Sequence, residues 1–369
     1  MRIVFAGGGT GGHLYPALAI ARAAVALDAS VRPLFVGARR GIEREILPGT
    51  EFEHVLLDLH PLYRARPWEN WRTLAGLGGA WRALGRLYGD ERPAVVVGTG
   101  GYASGAALGR AVRMRIPIVL QEQNSHPGMT TRVFSRWARE VWLGYGEAAA
   151  RLHAPPGAWV GETGNPIAPP PDPLPDRAAA RAKWGFPERG GLVLLIFGGS
   201  QGARALNEVV GAWVERGVPD RTYVIWGTGR ASHDGFAHLE SECVRVVPYL
   251  SPIADAYAAA DLALTRAGAL TVAELCAWGI PSILVPLPTA AADHQTGNAK
   301  VLAASGAAVM VRQAELTVAR LGAEVAAVAH SPELLAERAK GALARGRPRA
   351  AERIAERLLT LAHINQHRT

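Results

Sequence analysis

The chain is predicted to be an α/β protein of two doubly wound parallel-sheet domains, on three observations. Short apolar runs alternate with Ala-, Leu- and Arg-rich stretches of helical length, the pattern of repeated βα units around parallel sheets. Three of those runs lead directly into a glycine-rich turn: Gly7-Gly8-Gly9-Thr10-Gly11-Gly12-His13, Gly98-Thr99-Gly100-Gly101-Tyr102-Ala103-Ser104 and Gly198-Gly199-Ser200-Gln201-Gly202. The pattern breaks once, at residues 166–175, where Pro-Ile-Ala-Pro-Pro-Pro-Asp-Pro-Leu-Pro is too rich in proline for a helix or central strand and suits a stiff connector.

In chain order, the first domain's strands are expected at 3–6, 32–36, 94–97, 117–120 and 140–143. After the connector they resume at 192–197, 222–226, 244–247, 262–265, 282–285 and 308–311, and the Ala- and Arg-rich end from about residue 332 reads as helical. Neither half is a clear sequence copy of the other. Glycine lets the backbone turn sharply and approach a ligand, and the helix that follows offers N–H groups and a positive end to phosphate. Ligands of such sheets bind beyond the carboxyl ends of the strands, where all three turns fall. A cleft between the domains, holding more than one phosphorylated ligand, is the expectation.

At 369 residues and 49% apolar composition, the chain can bury two cores. Its two cysteines, Cys243 and Cys276, sit in apolar segments, which excludes a disulfide framework or a cysteine metal site and leaves them as core residues. The first strand begins at residue 3 with no basic, apolar leader ahead of it, and no run of about 18 apolar residues exists to span a bilayer, so a cytosolic or peripheral inner-surface protein is expected. Forty Lys and Arg against 32 Asp and Glu give a net charge of +8 and point to an anionic partner. Nucleic acid is a poor candidate, because the basic residues are dispersed or lie beside a lipid-like stripe without a reading motif.

That stripe starts after Arg64. Trp71, Leu74, Trp81, Leu84 and Tyr88 fall on one side at helical spacing, flanked by Arg64, Arg66, Arg72, Arg82 and Arg86. Trp with Arg on an amphipathic helix suits an anionic membrane interface. A helix packing the same stripe on its own domain is the alternative, since amphipathicity does not choose between the two.

The first turn, Gly7-x-Gly9-x-x-Gly12, fits the dinucleotide fingerprint, but Phe35-Val36-Gly37-Ala38-Arg39-Arg40 offers no acidic residue for a ribose at the end of the second strand. The arginines keep an NADP-dependent oxidoreductase as a remote alternative. His13 falls where a helix should begin. Positive potential there disfavours imidazolium and keeps the ring able to accept a proton near neutral pH, whereas a plain capping histidine would need no such role.

Six segments, taken in order, resemble one family: Gly8-Gly9-Thr10-Gly11-Gly12-His13, Gly100-Gly101-Tyr102-Ala103-Ser104, Gln121-Glu122-Gln123-Asn124, Gly198-Gly199-Ser200-Gln201-Gly202-Ala203-Arg204, Arg266-Ala267-Gly268-Ala269-Leu270-Thr271-Val272-Ala273-Glu274 and Asp293-His294-Gln295-Thr296. They are similar to the MurG family, the peptidoglycan N-acetylglucosaminyltransferases that convert lipid I into lipid II. The resemblance runs over nearly the whole chain. It implies an inverting glycosyltransferase of the GT-B fold, two Rossmann-like domains facing across a cleft, with no required metal or other cofactor. The chain also lacks an Asp-x-Asp pair of the kind metal-dependent glycosyltransferases use.

By that resemblance, residues 1–165, completed by a C-terminal helix at about 345–369, form the membrane-associated domain that takes lipid I. Residues 166–344 form the UDP-GlcNAc domain. Glu274 would accept from the ribose hydroxyls, since two carboxylate oxygens match a vicinal diol. The backbone near Leu250 would read uracil, with Ser200 and Gln201 at the donor phosphates and Arg266 pairing with the diphosphate or a neighbouring carboxylate. The turn of Gly268, Ala269, Leu270 and Thr271 would present helix N–H groups to the leaving phosphate. Gln295 and Asn298 would bond the GlcNAc ring, or merely shape their loop. On the acceptor side, Thr10, Gly11, Gly12, Tyr102 and Ser104 would hold the undecaprenyl diphosphate. Asn124 would orient the acceptor sugar or His13, and His13 would be the general base, with Glu122 as an alternative; His126 and His294 read as structural.

Two positions depart from the family pattern: Ala168 stands where an arginine is usual near the donor, and Gly297 where a lysine is common. The acceptor gives the Trp and Arg segment its purpose, as a contact of Trp71, Leu74, Trp81, Arg82 and Leu84 with the cytoplasmic face of the cell membrane, where other cell-wall synthesis proteins are further partners. The competing readings are a UDP-sugar:diacylglycerol glycosyltransferase, the NADP-dependent oxidoreductase, and a scaffold that binds without turnover.

Overall fold

Two parallel sheets form because the β-branched and aromatic runs are apolar on both faces, and each can be buried only between two layers of helix. The computed structural model describes residues 1–60, 70–199 and 202–366, and over 70–75 the backbone alone. The chain divides into two units, Met1–Ala168 with Pro348–Thr369, and Pro169–Arg347.

The first unit runs β1 (Arg2–Gly7), α1 (Gly11–Leu27), β2 (Arg32–Ala38), α2 (Glu43–Ile46), β3 (Glu53–Leu57), α3 (Asn70–Asp90), β4 (Val95–Gly100), α4 (Gly101–Arg113), β5 (Ile118–Glu122), α5 (Met129–Phe134), β6 (Ala138–Leu143) and β7 (Trp159–Glu162). Its sheet has the order β3-β2-β1-β4-β5-β6-β7, with every pairing parallel. Alternate residues of β1 serve opposite faces. Val4 and Ala6 meet α3 and α4, while Ile3 and Phe5 meet α1.

The second unit runs α6 (Arg177–Lys183), β8 (Leu192–Phe197), α7 (Arg204–Glu215), β9 (Thr222–Gly227), β10 (Val244–Val247), α8 (Ile253–Ala259), β11 (Leu262–Thr265), α9 (Ala269–Ala277), β12 (Ser282–Leu284), α10 (His294–Ala304), β13 (Ala308–Met310), α11 (Val318–Ala329) and α12 (Pro332–Arg345). Its order is β10-β9-β8-β11-β12-β13. Leu194 and Ile196 of β8 pack with α7 and α11, Val193 and Leu195 with α8. The chain then returns to the first unit as α13 (Ala350–Gln366), whose Ile354, Ala355, Leu358 and Leu359 join Leu14, Ala17 and Leu18 of α1 in one core.

All eleven expected strands are present, and β8, β10 and β11 have the expected ends. The two unforeseen strands, β3 and β7, are the edges of the first sheet. An edge strand is covered on fewer sides and can be as polar as Glu53-His54-Val55-Leu56-Leu57, which removes the continuous apolar run that marks a central strand.

Helix α3 corrects part of the membrane reading. Leu84 and Tyr88 are fully buried, in the core shared by β1, β4 and α4. Trp81 is half-buried, close to where a Cβ on Gly109 of α4 would stand, with the Arg110 guanidinium 5.4 Å from its ring centroid. Leu84 is therefore a core residue and not a lipid contact, because the first sheet needs a helix on that face. Arg82 and Leu77 are exposed. The Trp71 and Leu74 side chains, and Arg64 and Arg66, lie outside the described residues. Among the described residues, no helix is long and apolar enough to cross a membrane.

Candidate active site

Strand order places one switch point in each sheet, where successive connections run to opposite sides: between β1 and β4 in the first unit and between β8 and β11 in the second. Ligands of doubly wound sheets bind at such points. The turns that follow these four strands carry most of the candidate residues.

In the first unit the turns after β1 and β4 interlock. Gly101 has φ of +80°, and a Cβ there would overlap the Gly8 carbonyl oxygen; a Cβ on Gly9 would stand 3.1 Å from the Tyr102 ring. A Cβ on Gly100, φ +100°, would stand 2.7 Å from His13 Cδ2. These glycines are required because two backbones and an imidazole occupy the space of side chains.

His13 is the third residue of α1, half-buried, and its Nδ1 lies 3.1 Å from Thr10 Oγ1 and 3.2 Å from the Gly8 carbonyl oxygen. A carbonyl only accepts, so a proton on Nδ1 satisfies both neighbours and puts the lone pair on Nε2. The Thr99 hydroxyl donates to the His13 carbonyl at 2.8 Å. Thr10 and Gly12 are exposed at the start of the helix and Gly11 is half-buried, against Tyr15.

Sequence reasoning missed Glu43. It is fully buried beneath the first turn; its Oε2 accepts from the Gly9 N–H at 2.9 Å and its Oε1 from the Ala38 N–H at 3.1 Å. The acidic residue sought at the end of the second strand thus lies just beyond it and takes a backbone N–H of the turn. That N–H is removed from the donors the turn could offer to a phosphate.

The other acceptor-side candidates divide. Ser104 is buried, donating to the Gly101 carbonyl at 2.9 Å, which makes it a brace of the α4 start. Asn124 is half-buried and donates through N and Nδ2 to Glu122 Oε1, while Glu122 Oε2 accepts from Gly128 N at 3.0 Å. Glu122 therefore holds its own loop. Gln121, Gln123 and Asn165 form a buried amide network that reaches the Thr99 carbonyl.

In the second unit Glu274 sits on α9, mostly buried, and accepts from the Tyr257 hydroxyl at 2.7 Å. Burial pushes its carboxyl above the ordinary value, and the Tyr257 bond opposes that shift. Gly268 caps α9, with Ala269, Leu270 and Thr271 in its first turn. Gln295 Oε1 accepts from Leu287 N at 2.9 Å, leaving its amide NH2 as the end with hydrogens to offer. Ser200 and Gln201 lie outside the described residues. The Leu250 side chain is buried against Gly227, so any uracil contact there falls to backbone.

Two further donor-side candidates are bonded within the second unit. Arg266 is buried, and its guanidinium donates to the Val285 and Pro286 carbonyls and to Gln313 Oε1; burial lowers its pKa. It ties β11 to the segment after β12. Asn298 is fully buried and donates to the Ala267 carbonyl at 3.2 Å, which fixes the turn before α9. Among the described residues, no group of three His, Cys, Asp or Glu is placed to hold a metal ion.

The glycosyltransferase family 28 N-terminal domain matches residues 3–143 and its C-terminal domain residues 193–354. The chain is 41% identical over 98% of its length to 99% of a protein of Desulforudis audaxviator, and 39% identical over 99% of its length to all of one from Prosthecochloris aestuarii. Both are named UDP-N-acetylglucosamine–N-acetylmuramyl-(pentapeptide) pyrophosphoryl-undecaprenol N-acetylglucosamine transferase. The crystal structure of Acinetobacter baumannii MurG is similar with a TM-score of 0.77 at 27% identity, covering 97% of this chain and 99% of that one. The two sheets are the Rossmann-like domains of the GT-B fold.

Proposed function

The chain belongs to glycosyltransferase family 28, and we propose that it moves GlcNAc from UDP-GlcNAc to the 4-hydroxyl of MurNAc in lipid I, forming lipid II for peptidoglycan. It is a UDP-GlcNAc-dependent glycosyltransferase. The observation that carries the reading is His13, held by Nδ1 at the start of α1 where the turns after β1 and β4 interlock. Its Nε2 takes the proton from the acceptor hydroxyl as that oxygen attacks the anomeric carbon. The C1–O bond to UDP breaks and the configuration inverts.

The second unit binds the donor. Glu274 accepts from the ribose hydroxyls, and the N–H groups of Ala269, Leu270 and Thr271 receive the negative charge that develops on the leaving diphosphate. That helix start does the work a metal does in other transferases, so activity requires no added cation. The Gln295 amide donates to a GlcNAc hydroxyl. In the first unit Thr10, Gly12 and Tyr102 contact the acceptor, and exposed Arg82 of α3 faces the anionic cytoplasmic surface of the membrane.

The test is transfer of labelled GlcNAc to a short-chain lipid I analogue, with and without chelator. Transfer by the wild type, reduced roughly 10²–10⁴-fold in His13→Ala with UDP binding retained, is expected. Donor binding without transfer, or transfer to diacylglycerol instead, would overturn the acceptor assignment.

A further inference from the structure

We propose that Glu43 is a positioning residue that acts on His13 through one peptide group, the one joining Gly8 to Gly9. The proposal deepens the reading of His13 as the base and rests on it for its catalytic meaning. The N–H of that peptide donates to Glu43 Oε2 at 2.9 Å, and its carbonyl oxygen lies 3.2 Å from His13 Nδ1. Carboxylate, amide and imidazole form one hydrogen-bonded line.

Such a line is cooperative. A carboxylate accepting from an amide N–H draws that hydrogen toward itself and leaves more electron density on the amide oxygen, which then accepts more strongly from Nδ1–H. The alternative tautomer would set a bare Nδ1 against the Gly8 oxygen, lone pair to lone pair. Glu43 therefore favours the ring with its lone pair on Nε2, and it stabilises the imidazolium formed when Nε2 takes the acceptor's proton. A carboxylate bonded directly to a catalytic histidine does the same in the Ser-His-Asp triad; here an amide is interposed.

The surroundings of Glu43 fit this task better than a task in stability. The carboxylate is fully buried, and both its hydrogen bonds come from backbone N–H groups, Gly9 and Ala38. A buried carboxylate loses hydration that such bonds replace only in part. Three glycines make room for it: a Cβ on Gly8, Gly37 or Gly41 would overlap or crowd the Glu43 side chain. Tyr102 stands over Gly9 and Tyr15 against Gly11.

The experiment is nitrogen NMR of the full chain with labelled histidine, the His13 signals assigned by their absence in His13→Gln. Wild type, Glu43→Gln and Glu43→Asp are compared, with circular dichroism and cooperative urea unfolding of the full chain as the check on folding. In wild type His13 is expected as the Nδ1–H tautomer. In Glu43→Gln its titration midpoint moves to lower pH, the tautomer mixture shifts toward Nε2–H, and kcat falls about tenfold, short of the roughly 10²–10⁴ that a positioned base supplies. KM for UDP-GlcNAc stays unchanged, because the donor is bound by the other unit. A folded Glu43→Gln protein with the wild-type tautomer and midpoint overturns the proposal. If Glu43→Gln does not fold, Glu43→Asp decides by the same spectra, since a carboxylate withdrawn by one methylene weakens the line and keeps the charge. A midpoint that moves while the pH–rate profile stays still supports the coupling and removes His13 as the base, so the two readings fail separately.

Discussion

The Tyr257 hydroxyl donates to Glu274 Oε2 at 2.7 Å and links α8 to α9. Burial alone raises the Glu274 carboxyl, and this bond is the force that pulls it back toward ionisation. Burial, with the Glu274 carboxylate close by, lifts the Tyr257 hydroxyl far above its ordinary value, so it stays a donor throughout the working range.

Donor affinity should therefore depend on pH with a definite sign. A folded-state pKa above the unfolded one means that ionising Glu274 costs stability as pH rises through that interval, and that the neutral acid prevails below it. A ribose diol needs the carboxylate, so KM for UDP-GlcNAc rises as pH falls through the elevated value. Tyr257→Phe removes the opposing bond, about 1.5–3 kcal/mol for a charged acceptor, so the rise begins at higher pH and reaches roughly tenfold where the wild type is still saturable. Superimposable KM profiles for the two proteins would sink the ribose role of Glu274.

Two glycines of α4 should respond oppositely to alanine. At Gly101 the φ of +80° and the Gly8 carbonyl both oppose a Cβ, and a loss of about 1–3 kcal/mol is expected from backbone strain alone, with kcat falling too. Gly105 has open space at its Cβ position, so Gly105→Ala should stabilise by up to about 1 kcal/mol. Urea unfolding of the pair decides; equal midpoints would contradict the interlocked turns.

Helix α3 separates packing from membrane contact. Leu84→Ala should lose about 2–5 kcal/mol of stability while the folded protein keeps its affinity for anionic vesicles. Arg82→Ala should stay within about 0.5 kcal/mol in stability and lose affinity worth about 1 kcal/mol for vesicles containing phosphatidylglycerol. Co-sedimentation that is indifferent to Arg82 and to salt would remove this helix from the membrane surface.

Central strands and glycine turns were legible in the sequence because their physics is local: a strand buried on both faces must be apolar, and a backbone at φ +80° to +100° must lack a side chain. Edge strands β3 and β7 escaped, since one-sided burial permits Glu53 and His54. The stripe Trp81, Leu84 and Tyr88 has the same periodicity whether it meets lipid or a sheet, and only the position of α4 decides. Arg266, inside a motif, and Asn298, just beyond one, donate to the carbonyls of Val285, Pro286 and Ala267, bonds that residue type does not announce because it carries no direction. Glu43 stands in no pattern, and its task appears only when the turn it supports is folded over it.

The packing of α13 on α1 has a consequence for the order in which the protein is made. The face of α1 formed by Leu14, Ala17 and Leu18 is synthesised long before its cover, Ile354, Ala355, Leu358 and Leu359. The second unit, 169–347, is fully synthesised before the first can close. Domains usually mature in the order of synthesis. Here the second unit lies wholly between the two halves of that contact, so the apolar face of α1 stays uncovered until α13 has been made.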